Sequence, residues 1–158
     1  MKKYLVLRIS ESVRNTDHFA FTELMKRFQA TDLVAIMEFG ETSACRNDGD
    51  IGPILTAART SDPFFLKTLL HKLEEVGNKE YLKKIVMGTT LYDNETAFEN
   101  AIAVASHENL QELLRCVGGI TTLRQKEADW PERLLLDATQ RLKISPSEER
   151  KKVVNLLG

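Results

Sequence analysis

Two thiols, three imidazoles and one acidic turn are the residues of this 158-residue chain whose chemistry could go beyond packing. Cys45 lies in a polar stretch where an exposed thiol could act as a nucleophile. A catalytic thiol also needs a base and an orienting carboxylate, and no local motif supplies either. Cys45 and Cys116 show no CxxC spacing and are too few for a disulfide framework, which fits ordinary thiols in a reducing cytosol. His18, His71 and His107 are far apart, and none has another histidine or cysteine three or four residues on, so no zinc site is expected. Asp48-Gly49-Asp50 is similar to the start of a calcium loop, but the bidentate glutamate is missing and the stretch reads as a turn. Gly118-Gly119 is not followed by a Lys-Ser or Lys-Thr pair, and no GxGxxG occurs. The chain is therefore expected to use no metal, no cofactor and no nucleotide.

The composition points the same way. The 22 basic and 23 acidic residues are interspersed and leave a net charge of -1, so no field would gather nucleic acid or anionic lipid. Lys83-Lys84 and Arg150-Lys151-Lys152 are short clusters among glutamates and read as solvated faces. No apolar run approaches the roughly 18 residues of a membrane helix, and MKKYLVLRIS lacks a cleavage site, so a soluble, cytoplasmic protein is expected. A hydrophobic content of 42% in this length supplies one domain with its own core.

The elements that would position any site are helices. YLVLRI is too short to assign beyond a strand or the first turn of a capping helix, and Ser10 to Asp17 reads as a polar loop. Phe21, Leu24, Met25 and Phe28 then give a helical face over about 19–29, and Leu33, Ile36 and Met37 give another over about 31–39, with Thr31 or Asp32 as cap and Gly40 as stop. Pro53 suits a first helical turn. Ser61 or Asp62 caps a helix carrying Phe65, Leu66, Leu69, Leu70 and Leu73. Tyr81, Leu82, Ile85 and Val86 make a further short helix. Ala97, Phe98, Ala101 and Ile102 line the next, Leu110, Leu113 and Leu114 the one after, and Gly118-Gly119 closes that pair. Capping-box spacings at Asp129–Glu132 and Ser145–Glu148 introduce helices over about 131–142 and 146–157. Trp130 is expected to pack against Leu134.

Three of these stretches superimpose without gaps. Leu24 to Met37, Ala57 to Leu70 and Ala101 to Leu114 put Leu33, Leu66 and Leu110 in one column, at steps of 33 and then 44 residues. Such self-similarity belongs to stacked helical repeats. Gly52-Pro53-Ile54-Leu55-Thr56-Ala57 and Thr96-Ala97-Phe98-Glu99-Asn100-Ala101 stand where the ankyrin family has Thr-Pro-Leu-His-x-Ala, with Leu55 and Glu99 in place of the histidine. The chain thus resembles a divergent ankyrin-repeat protein over roughly residues 14 to 120. The resemblance implies an all-α fold: a single domain with an N-terminal cap (1–14), units at 15–47, 48–91 (with an insertion over 78–88) and 92–124, and a C-terminal helix pair or capping unit at 125–158. Small Ala57, Ala58 and Ala101 would let neighbouring first helices approach closely.

By the same resemblance the partner is a protein, bound at loop tips and inner helices by a monomer. The family's outward-facing positions fall on Asn15, Thr16, His18, Lys26 and Arg27, on Asp48, Gly49, Ile51, Arg59 and Thr60, and on Tyr92, Asp93, Glu95, Ala103 and Val104. Lys26, Arg27 and Arg59 against Asp48, Asp93 and Glu95 imply a partner of alternating charge. The leading expectation is a non-catalytic interaction module. A bacterial or viral effector binding a host protein in the host cytosol, and a small helical enzyme using Cys45, are the alternatives.

Overall fold

A computed structural model describes residues 2–40, 53–75, 79–87, 96–126 and 129–158, and what it describes is helical, with no strand among those residues. The first helix, α1 (Lys2–Arg14), corrects the expected loop: it runs to Arg14, and Ser10 and Ser12 are buried. Val6, Ile9 and Val13 at i, i+3 and i+7 give it a fully buried face, and the Ser12 hydroxyl is satisfied by donating to the Ile9 carbonyl at 2.7 Å. Two polar serines on an apolar helical face disguised it as a loop.

Next come α2 (His18–Arg27), α3 (Ala30–Gly40), α4 (Pro53–Ala58), α5 (Phe64–Glu74) and α6 (Lys79–Val86). The chain continues as α7 (Ala97–Ala103), α8 (His107–Cys116), α9 (Ile120–Lys126), α10 (Trp130–Ile144) and α11 (Glu148–Leu157). The helix α9 was not expected; its anchor is the buried Leu123. The helix expected to stop at Gly40 is α3, which extends through that residue.

The packing has an order. Helices α1, α4, α7 and α10 lie side by side in one row, and α5, α8 and α11 in a second, each paired with the first-row helix that precedes it. α4 and α7 pack on one another, and their small residues Ala57, Ala58 and Ala101 are fully buried. α2 follows α1 across a turn in which Asp17 caps α2 by accepting from the Ala20 N–H at 3.0 Å. The N-cap residue of α5 is Pro63, just after Asp62, whose side chain takes up the Phe64 N–H at 3.0 Å; Ser106 caps α8 through the Asn109 N–H at 3.3 Å. The turns before Asp17 and Ser106 share one backbone pattern, with Thr16 and Ala105 both left-handed at φ +53° and +57°. Phe21, Leu66 and Leu110, four residues past Asp17, Asp62 and Ser106 respectively, are all fully buried.

These equivalences shift the register of the first unit. Asp17, Asp62 and Ser106, whose side chains accept from the first N–H groups of α2, α5 and α8, are separated by 45 and 44 residues, so α1 with α2 corresponds in order to α4 with α5 and α7 with α8. The 33-residue step arose because α3 carries apolar positions similar to those of α5 and α8. Over the described part of 78–88 lies α6; it follows α5 as α3 follows α2 and α9 follows α8, α3 and α6 packing forward onto α5 and α8 and α9 onto α10.

Polar side chains bolt successive units. Asn109, three residues past its cap, donates to the Thr60 carbonyl at 2.8 Å, and Arg150, three past the Ser147 cap, reaches the Ile102 and Ala103 carbonyls at 3.4 Å. Ser147 therefore caps α11 where Ser145 was expected, and Asp129 makes no side-chain cap. The carboxylate return of a capping box occurs instead at Thr96, whose N–H donates to Glu99 at 3.0 Å. The other oxygen of Glu99 accepts from Trp130 Nε1 at 3.1 Å while the indole stands edge-on to Phe98, so Trp130 is held by the preceding unit. Gly118 and Gly119, at φ +89° and +91°, end α8 as expected, the Gly119 N–H returning to the Leu114 carbonyl at 2.8 Å.

Candidate functional site

An open groove with an apolar floor lies between α2 and α5. The two helices are pinned at their N-terminal ends by four rings. His18 stacks on Phe64 with centroids 4.7 Å apart and planes 8° from parallel, and Phe65 meets His18 and Phe21 edge-on at 4.9 and 5.0 Å. His18 Nε2 also lies 2.6 Å from Oδ2 of Asp62, the residue that takes up the Phe64 N–H. Edge-on and offset rings of this kind add about 0.5–1.5 kcal/mol per pair beyond the area they bury.

Beyond this clamp α2 and α5 leave an open groove of about 540 Å³. Met25, Phe64 and Thr68 line its apolar part, and Lys26, Lys67, His71 and Lys72 stand around it with Glu75 as the one carboxylate. Lys26 pairs only with the exposed Glu23 one turn away, at 3.3 Å; among the described residues Lys67 and Lys72 have no ion-pair partner. His71 Nε2 sits 3.4 Å from Glu112 of α8. Glu112 and Glu74 in turn hold Arg115 at 2.7 and 2.5 Å. Burial works against the Arg115 charge, but the hydrogen bonds to Glu112 and Glu74 outweigh it and raise its pKa. The network ties the far wall of the groove to the next unit.

In comparisons with known proteins no family model matches the chain, and neither a curated protein nor a solved structure matches it. The chemistry of the groove stands on its residues.

The residues expected at a binding surface fall in several places. Asn15 and Thr16 are exposed in the turn before α2; His18 opens α2 in the ring clamp; Lys26 and Arg27 end it, and Lys26 lines the groove. Arg59 and Thr60 occupy the turn between α4 and α5, where Arg59 Nε donates to Asn100 Oδ1 at 2.7 Å. Ala103 and Val104 stand at the matching turn of the next unit. In the first unit that position belongs to Arg14 and Asn15, so Lys26 and Arg27 do not align with Arg59 and Thr60 as the 33-residue step implied. Asp48, Gly49, Ile51, Tyr92, Asp93 and Glu95 lie outside the described residues, as does Cys45.

Thr22, Lys67, Thr68 and Lys72 escaped the sequence reading, which placed Met25 on a helical face and weighed His71 only as a metal ligand. A basic triplet at 67, 71 and 72 beside Phe64 was visible, but only the neighbouring α2 makes it a groove. Cys116 is a poor nucleophile: burial pushes its thiol up to about 12, and Glu74 lies 3.9 Å from the sulfur. No group of three or more metal-ligating side chains comes together among the described residues, and no described helix is long and apolar enough to cross a membrane.

Proposed function

We propose that this chain is a non-catalytic protein-binding module, an ankyrin-like stack of short helical units that offers its exposed side to a partner protein. The observation that carries the reading is the α2/α5 groove, an open trough that lies beyond the ring clamp joining the N-terminal ends of the two helices. An apolar trough without an enclosed cavity suits a macromolecular surface better than a small molecule, which needs most of its area buried. The side-by-side rows support it further, since stacked units create extended faces that no single unit has. Steps of 45 and 44 residues with a third helix are longer than the ankyrin unit and fall within the range of other helical arrays that bind proteins.

Photo-crosslinking in a native lysate tests the reading. A crosslinking amino acid placed at Thr22, in the groove, or at Arg59, at the turn edge, should capture one discrete protein, and at the exposed Gln140 of α10 it should capture none. Equal capture from all three positions, or capture from none, would refute a specific binding surface.

A further inference from the structure

We infer that the α2/α5 groove takes an acidic amphipathic helix of a partner protein, an inference that rests on the protein-binding reading above. Its walls are α2 and α5, of 10 and 11 residues, each about 15 Å long at 1.5 Å per residue, so an occupant of matching length is a helix of about three turns. Phe64, half-buried, offers the exposed part of its ring to the side chains such a helix presents at i, i+3, i+4 and i+7, with the buried, adaptable Met25 beneath. The charge around them decides the sign. Lys26, Lys67 and Lys72 stand against two carboxylates, Glu75 in the lining and Glu23 beside Lys26, in a chain whose overall charge is -1, so the groove keeps a local excess of positive charge. The Lys26–Glu23 pair is an exposed pair three residues apart, worth a few tenths of a kcal/mol, and yields readily to a better-placed carboxylate. Glutamates flanking the apolar stripe of the incoming helix would meet these lysines at the rim, where charge sets partner choice and association rate.

The test uses two labelled synthetic peptides of about 14 residues with the same leucine stripe, one flanked by glutamates and one by lysines, titrated against the full chain by fluorescence anisotropy. The glutamate peptide should bind at least about tenfold more tightly than the lysine peptide and weaken as salt rises from about 0.05 to about 0.5 M. The double variant Lys67→Glu/Lys72→Glu, at one exposed and one half-buried position outside the core, should keep a cooperative unfolding transition and lose about tenfold or more in affinity. Lys67→Ala/Lys72→Ala should fall between it and the wild type. Equal affinity for both peptides, binding of neither, or indifference to both double variants overturns the inference, as does tight laurate binding without peptide binding. If Glu41→Gln/Asp48→Asn/Asp50→Asn binds the glutamate peptide about tenfold more tightly than the wild type, the chain's own acidic stretch competes for the groove and the partner assignment falls. Loss of peptide binding while Arg59 still crosslinks a discrete protein removes the groove and leaves the protein-binding reading standing.

Discussion

Asn109 is the side chain whose replacement reports most directly on how the units are joined. It is fully buried, and its amide nitrogen donates across the unit boundary to the Thr60 carbonyl at 2.8 Å and, more weakly, to the Ala57 carbonyl at 3.4 Å. Its Oδ1 is buried without a partner among the described residues. Asn109→Ala removes one good hydrogen bond, about 1 kcal/mol net, strips the Thr60 carbonyl of its donor for a further 1 kcal/mol or so, and leaves a small void. It also removes the unpartnered Oδ1, which offsets part of that. The balance is a loss of about 2 kcal/mol, or about 4–8 °C in midpoint for a chain of this size. Asn109→Asp keeps the volume but sets an acceptor, and at neutral pH a charge, against two carbonyl oxygens, so it should cost more than 3 kcal/mol. Urea unfolding followed by circular dichroism measures both. An aspartate variant no less stable than the alanine variant would show that no donor is required at this position and would refute the inter-unit bond.

Three other perturbations have signs fixed by local geometry. Gly118→Ala forces a left-handed residue and brings its Cβ within 3.3 Å of Thr122, so it should cost about 1–2 kcal/mol, whereas Gly119→Ala, with open space around it, should show the smaller backbone cost alone; thermal denaturation ranks them. Hydrogen bonding from His107, 2.5 Å away, holds the Glu149 carboxyl below its ordinary value, with Lys152 assisting. The stability this adds is fully present above the unfolded-state value and disappears as the pH falls through the lower folded one, so Glu149→Gln should flatten the acid limb of the stability–pH curve below about pH 4.5, and an unchanged limb would contradict it. At pH 8 the Cys116 thiol, pushed up to about 12, should react with a thiol probe in the Cys45→Ser variant about three orders of magnitude more slowly than a free cysteine, read by mass spectrometry.

What the sequence disclosed was governed by local rules. Gly118 and Gly119 act where their type demands, because a left-handed glycine is decided within a few residues, and Asp62 misses the cap position of α5 by one residue while still taking up the Phe64 N–H. The leucine pairs and small alanines of the second and third units were equally legible, since both faces they serve are buried. The first unit was misjudged because Ser10 and Ser12 interrupt the polar–apolar contrast of α1, and because α3 mimics the apolar spacing of a second helix. Ser147 won the cap from Ser145 by its extended backbone, φ -158° and ψ 162°, which no residue type announces. Nor was the groove visible, for it belongs to two helices some 45 residues apart whose adjacency depends on the ring contacts of His18 and Phe21 with Phe64 and Phe65. His71 shows the same limit: its partner, Glu112, is a helix away.

A titration of the isotopically labelled full chain with the glutamate-flanked peptide, followed by amide and methyl chemical shifts, tests the central claim at residue level. The largest changes should cluster at Thr22, Met25, Lys26, Lys67, Thr68 and His71, with α10 and α11 silent. Shifts concentrated on α10 and α11, with α2 and α5 unmoved, would contradict a binding groove between the second helices of the first two units.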